Sequence, residues 1–467
     1  MKRRPAMFLV ALLSFGVATQ AAAQKRFDGV KLKMLGISDT SVTRLAPIAG
    51  EFEKLTGVKV QIDMLPYPGL IDKIIIESSA NKPNYQLLWV DSPWVGMLGE
   101  AGALEDLTEL MKRDAKEIAL KDILPIQIQE NTWQGRVLAF PASGMTWLTN
   151  YRKDLVENAD EKAAFKTKYG YQLAPPKTWA QNRDIAEFFT RKAGQTLAGV
   201  KLAKDFYGTG QTYSRVGGAI THDYFPIMRS YGADFWDAKT GLCAMTTDAH
   251  IKAAEYLKSL IPFNPPDYLG LMWDVQSGYM ERGDNAISSY WSVRSVRLTN
   301  PKEAKVAEKG LVVGYAPAPT VDGKPQPTYT GTLSFGINSK ASRQEKDAAW
   351  AFIKWGTSEA MMRRFADEGS GVSQFRKSLL SDPALQKKYP YYKVLLESQA
   401  NARRRIFHPF YQDMEENFGN ELHKYMAGET KTAQEALEKA CSTVNSRLKM
   451  FPVKTRLRWI DDVPAKL

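Results

Sequence analysis

Apolar and polar positions follow two spacings along this chain, and the two take turns. Val30 to Ile37 and Val58 to Ile62 alternate residue by residue, the pattern of half-buried strands. Between them Ala46 to Leu55 repeats its apolar positions at helical spacing, and Gly57 follows as a stop signal. Ile71 to Ser79 reads as a second helix, Leu87-Leu88-Trp89-Val90 as a wholly apolar strand, and Val95 to Glu100 as a third helix. This order predicts a doubly wound α/β layer with a mostly parallel sheet. Ligands of such sheets sit outside the carboxyl ends of the strands. The polar loops Ser38-Asp39 and Asp91-Ser92-Pro93-Trp94 fall at two such ends, and the topology brings them to one edge.

Further on, Pro141-Ala142-Ser143-Gly144 reads as a loop before a strand at Met145 to Thr149. Leu311 to Ala318 and Thr330 to Asn338 are strands. Lys346 to Gly356 is an amphipathic helix with Ala348-Ala349-Trp350-Ala351-Phe352-Ile353 as its buried face, and Glu429 to Met450 forms a last long helix. From Gly278 to Val293 a helix end, a polar turn at Gly283 and an apolar run at Ala286 to Ser289 lead to Tyr290 and Trp291. Two large aromatics where a strand leaves the core suit the wall of a cleft, and equally suit ordinary core filling. There is no internal repeat and no low-complexity segment.

The first residues form a separate unit. Lys2-Arg3-Arg4 is followed by an apolar run from Met7 to Val17, and Ala21-Ala22-Ala23 offers a small-residue cleavage site. That is a secretory leader, with cleavage expected near Ala23 and no cysteine beside it to carry a lipid. The run is short for a membrane span of about 20 residues. At 467 residues the whole chain suggests two or three domains. Its two cysteines, Cys243 and Cys441, either pair in an oxidising compartment or stay as buried thiols.

The formal charge is +12; removing the three basic residues of the leader from 63, against 51 acidic ones, leaves +9. The basic residues are interleaved with acids and no nucleic-acid motif is present, so the charge reads as a solvated surface, with an anionic ligand as the alternative. The tight cluster is Arg403-Arg404-Arg405, either surface or a bidentate partner for an anionic sugar. Among the four histidines none forms H-E-x-x-H; no phosphate-cradling glycine loop, dinucleotide fingerprint or nucleophile elbow occurs. Glu415-Glu416 and Asp461-Asp462 read as solvated pairs rather than a glycosidase couple.

Four pieces resemble the extracellular solute-binding proteins of ABC importers, in the maltose-binding-like class that takes sugars and oligosaccharides. Phe52 to Val60 resembles that family's first helix running into its second strand, and Gly99 to Leu107 the stretch after its third. Thr330 to Asn338 with the helix from Ala348 to Phe365 is similar to its returning segment, and Ala427 to Leu437 to its C-terminal helix. The pieces come in the family's order.

The resemblance implies two α/β lobes with a ligand cleft between them, no cofactor and no catalysis. Partners would be a carbohydrate and the membrane permease, with no nucleic acid, for a monomer exported to the periplasm. It places the leader at 1–23, the N-terminal lobe at 24–141 and 312–368, and the C-terminal lobe at 142–311 and 369–467. An acid-bearing ligand, or an exported polysaccharide-active enzyme, are the alternatives.

A sugar cleft needs directional polar groups for hydroxyls and flat apolar rings for the C–H faces. The resemblance puts Trp291 and Tyr290 at the stacking position. It puts Ser38 and Asp39 in the loop after the first strand, where Asp39 equally suits a helix N-cap. Asp91, Ser92 and Trp94 fall in the loop after the third strand, with turn-fixing as the other role of Asp91. His222, Asp223 and Tyr224 resemble a second-lobe stretch that supplies an aromatic, and Gly331 and Thr332 lie on the returning strand. Ser143 and Met145 flank the expected hinge, and Ser370 to Ser373 is a candidate lid.

Overall fold

The computed structural model describes residues 27–38, 40–67, 69–327, 329–369, 373–400 and 402–467. The leader, Asp39 and most of the candidate lid (370–372) lie outside them. Eight strands make one mixed sheet: β1 Lys31–Ile37, β2 Lys59–Leu65, β3 Leu87–Asp91, β4 Phe140–Arg152, β5 Tyr207–Thr209, β6 Asn285–Trp291, β7 Val313–Pro317 and β8 Thr330–Ile337. The helices used below are α1 Ala49–Thr56, α2 Leu70–Ser79, α3 Val95–Glu100, α4 Pro125–Gln129, α5 Ala219–Ser230, α6 Trp273–Arg282, α7 Ser292–Ser295, α8 Arg343–Gly356, α9 Tyr391–Ala400, α10 Tyr411–Ala427 and α11 Ala433–Leu448.

Across the sheet the order is β2-β1-β3-β8-β4-β6-β5, with β7 also on β4. The β1–β2, β1–β3 and β5–β6 pairs are parallel, as strand–helix alternation requires; the strands that travel between the two halves pair antiparallel. Edge strand β2 carries charge on its outer residues, while β3 and β8, covered on both faces, are buried throughout. Helix α1 ends as its sequence predicts, with Gly57 left-handed (φ 79°) and its N–H on the Glu53 carbonyl.

The fold turns on β4. All of its residues are buried, and it serves both halves. Phe140 to Thr146 pair with β8; Trp147 to Tyr151 pair with β6, and Leu148 to Arg152 with β7. The change of partner therefore falls between Thr146 and Trp147, beyond the boundary expected after 141. The loop expected at Pro141 to Gly144 is strand. Leu333 faces Ser143 and Ser334 faces Pro141, so Ala142 is an extra residue in a β-bulge, the place where a proline's missing N–H does least harm. Likewise Gly144 and Leu124 donate backbone bonds to Ser373 and Phe375, and Asp122 accepts from Ser378. Residues 373–378 are thus tied to the first half, although the expected lobe boundary stands at 369.

Two helix readings change. Helix α8 starts earlier than the expected Lys346, because Ser342 and Glu345 form a reciprocal capping box. The helix expected from Glu429 to Met450 begins at Ala433, because left-handed Gly428 ends the preceding α10 and Thr432 caps the new start. Cys243 and Cys441 are joined in a disulfide, Cα atoms 5.5 Å apart, which ties the 243–245 loop to α11 and resolves the two readings of the cysteines. Among the described residues no helix is long and apolar enough to cross a membrane.

Candidate ligand-binding cleft

The carboxyl ends of β3 and β6 face each other across the junction of the two halves, and an ion pair fills the space between them. Asp91 ends β3, fully buried. Both its oxygens accept from one guanidinium nitrogen of Arg405, at 2.9 and 3.0 Å, and one also accepts from the Tyr67 hydroxyl at 3.0 Å. Arg405 comes from the extended segment 402–407 between α9 and α10, and its second terminal nitrogen donates to the Tyr411 hydroxyl at 3.1 Å. Burial, the largest single influence, lowers the Arg405 pKa; the Asp91 carboxylate together with Tyr411, Tyr329 and Tyr67 outweighs it and holds the group well above the ordinary range. Gly331 on β8 makes room for this side chain, since a Cβ there would lie 3.2 Å from Arg405 Cδ and 2.9 Å from Met145 Cε.

On the other side Trp291 ends β6, 6% exposed. Its indole N–H donates to His222 Nδ1 at 2.8 Å. An indole nitrogen only donates, so Nδ1 is the bare nitrogen and Nε2 carries the hydrogen toward Glu415 Oε1, 3.1 Å away. Glu415 on α10 also accepts from Tyr411, closing a chain of polar contacts from Tyr67 through Asp91, Arg405, Tyr411, Glu415 and His222 to Trp291. Aromatic rings line the route. Tyr67 lies 5.1 Å from Trp94 and 5.4 Å from Trp273, Trp273 lies 4.9 Å from His222, and the Arg405 guanidinium sits 5.3 Å from the centre of the Trp291 ring.

These groups leave a cavity of about 90 Å³ bounded by Asp91, His222, Trp273, Trp291, Arg294 and Arg405, with Ile37, Tyr67, Trp89, Met145, Tyr290, Val293 and Leu333 completing its wall. At about 10–15 Å³ per water-sized group this is room for one sugar unit rather than a row of rings.

Of the residues expected from sequence, the fold brings Asp91, His222, Tyr290 and Trp291 to this cavity, and Met145 with them. The Tyr290 ring itself packs with Met280, Leu298 and Val306, and its hydroxyl is buried without a partner. Ser92, Gly331 and Thr332 stand behind the wall: Ser92 Oγ accepts from the Thr332 amide, and the Thr332 hydroxyl donates to Gln127. Trp94 is buried under Tyr67.

Asp223 faces away from the cavity, accepting from the Thr212 amide and the Gln276 side chain; burial raises its pKa to about 7 against those bonds. Tyr224 is core, its hydroxyl on the His250 carbonyl. Ser38 is exposed, its amide on Leu65, and is not among the lining residues. Asp39 lies outside the described residues.

Sequence reasoning missed Tyr67, Trp273 and Arg294. It also took Glu415 for solvated surface, whereas Glu415 is fully buried and its neighbour Glu416 is exposed. Helical spacing carried the signal: Tyr411, Met414, Glu415, Phe418 and Leu422 share the buried face of α10. Behind the ion pair lies Glu130, also fully buried, accepting the Arg405 backbone N–H at 3.0 Å. Burial raises its pKa to about 8, with the Ser92 hydroxyl and the Arg405 charge pulling the other way.

Residues 38–363 match the family model described as bacterial extracellular solute-binding protein. The chain belongs to this family. As a solute-binding protein it is 23% identical to a maltotriose-binding protein of Pyrococcus abyssi over 70% of its own length and 62% of that protein. It is 26% identical to a mannitol-binding protein of Pseudomonas aeruginosa over 67% of its length and 66% of that protein. The matched part thus spans a little under two thirds of these two relatives. A solved ABC transporter solute-binding protein from Agrobacterium radiobacter K84, in complex with ribitol, superposes with a TM-score of 0.76 at 26% identity. That match covers 91% of this chain and all of that one. The architecture is that of two α/β lobes with the cleft between them.

Proposed function

We propose that this protein captures a carbohydrate for an ABC importer, holding one sugar or polyol unit between the lobes and presenting the closed form to the membrane permease. The observation that carries the reading is the cleft itself. The Trp291 and Trp273 rings offer apolar surface to C–H groups, and Asp91, His222, Arg294 and Arg405 line the same cavity as polar groups. The maltotriose and mannitol named for two relatives, and the ribitol bound in a third, support the same class.

The protein acts by binding and not by catalysis. Among the described residues that line the cavity Asp91 is the one carboxylate, and Arg405 already occupies it, whereas sugar hydrolysis needs two. It works as a monomer, exported to the periplasm after cleavage near Ala23. The lobes meet along β4 near Thr146 and Trp147, between β7 and β8, and along 402–407.

A second reading rests on Arg294. It lines the cavity, yet among the described residues its guanidinium has no hydrogen-bond or ion-pair partner. A sugar acid would complete it, with its carboxylate on Arg294.

A thermal-shift screen with ribitol, mannitol, maltotriose and a hexuronate separates these readings. A rise in midpoint with ribitol, mannitol or maltotriose supports the first reading, and a rise with the hexuronate alone supports the second. No response to any carbohydrate or sugar acid refutes both.

A further inference from the structure

The arginine triplet is divided by the fold. The Arg405 guanidinium turns into the cleft onto Asp91, whereas Arg403 and Arg404, with Arg405 also on the wall, border a second cavity of about 490 Å³ that flanks the same 402–407 segment. Its other walls are the C-terminal ends of α4 and α5, residues 234–238 and the chain at Ile460 and Asp462. From α5 comes a third guanidinium, Arg229, stacked 4.8 Å from the Phe235 ring.

The charges here are incompletely balanced. Arg404 pairs with Asp462 at 3.0 Å. Arg229 reaches only 3.7 Å from Asp234, whose carboxylate is 61% exposed, and its Nε is shut off from solvent with no partner. Arg403 is exposed and, among the described residues, its side chain has neither a hydrogen bond nor an ion pair. Burial holds Arg229 below the usual guanidinium range, and the Arg403 charge acts in the same direction. Two guanidinia that repel each other across one cavity, each with donors to spare, have the donor set that matches the fork of a carboxylate or phosphate.

We propose that this cavity is a second ligand site, for a small oxyanion, either a carboxylate or a phosphate group, gripped by Arg229 and Arg403. The site stands outside the carbohydrate cleft and does not depend on how the cleft is read.

The test is calorimetric titration of the whole protein with inorganic phosphate and, separately, succinate, both at constant ionic strength set with sodium chloride. Saturable binding of at least one is expected, and which of the two binds tells phosphate from carboxylate. Arg403→Gln alters an exposed side chain, so its fold is retained; it weakens the anion at least tenfold, and Arg229→Gln with Arg403→Gln abolishes it. The melting midpoint of Arg403→Gln, unchanged from wild type, serves as the control for folding. The proposal is overturned if neither anion binds saturably, or if both variants bind as the wild type does.

Discussion

Asp91 and Arg405 bury a full ion pair where the lobes meet, and removing one half of it is the sharpest perturbation the fold allows. In Asp91→Ala the guanidinium stays at 1% side-chain exposure with Glu415 as its nearest remaining carboxylate, 4.0 Å away. A buried charge stripped of its partner costs about 3–5 kcal/mol, because desolvation is no longer offset. The melting midpoint should fall by on the order of 10 °C. Arg405→Met leaves the Asp91 carboxylate with only the Tyr67 hydroxyl and costs a similar amount. Asp91→Ala combined with Arg405→Met removes both charges and should cost far less than the sum of the two. What remains is about 1–3 kcal/mol for the Tyr67 hydroxyl left without Asp91, whereas Tyr411 still donates to Glu415. Urea unfolding of the four proteins, followed by tryptophan fluorescence, measures the cycle. Costs that add to within about 0.5 kcal/mol would show that the two side chains are not coupled, and the argument would fall.

Four further outcomes follow from residues already described. Trp291→Phe keeps a ring but strips His222 Nδ1 of its donor; solute affinity should drop at least tenfold, about 1.4 kcal/mol, and an unchanged titration would remove Trp291 from the site. Trp291→Ala empties a buried position and adds about 3–5 kcal/mol of destabilisation, so it tests packing more than recognition. Glu130, raised from 4.5 to about 8, stays protonated in the fold across a range where the unfolded chain ionises. Its contribution is therefore fully present below pH 4.5 and is lost as pH rises toward 8; Glu130→Gln should flatten that decline in melting midpoint, and an unaltered pH profile would count against it. Breaking Cys243–Cys441, which closes a separation of 198 residues, should cost about 5 kcal/mol, read as a lower midpoint for the double serine variant under non-reducing conditions.

Local periodicity carried the first half of the fold well. Strands 31–37, 59–65 and 87–91 and the helices between them are stated by alternation, helical spacing and Gly57. It failed where tertiary packing overrode composition. Pro141 to Gly144 looks like a turn in isolation and becomes strand because β8 pairs with it across a bulge. The site was legible in the residues that end strands, Asp91 and Trp291, because strand ends are visible in sequence and topology says what they face. Tyr67, Trp273 and Arg294 reach the cavity from loops and from the first turns of helices, where no period marks direction. Arg405 was visible as part of a triplet, but its neighbours take opposite surroundings, and one-dimensional spacing holds no information on which of three adjacent arginines turns inward.

The continuous strand β4 bears on how the two halves can move. Because one uninterrupted strand is hydrogen-bonded into both lobes, their relative motion must be absorbed as bending and twisting of a strip of sheet rather than as free rotation about a slack tether. Such a strip stores elastic energy when deflected and confines the swing to few directions. An opened molecule therefore wanders over a narrow arc, and the two walls of the cleft return to register without searching for each other.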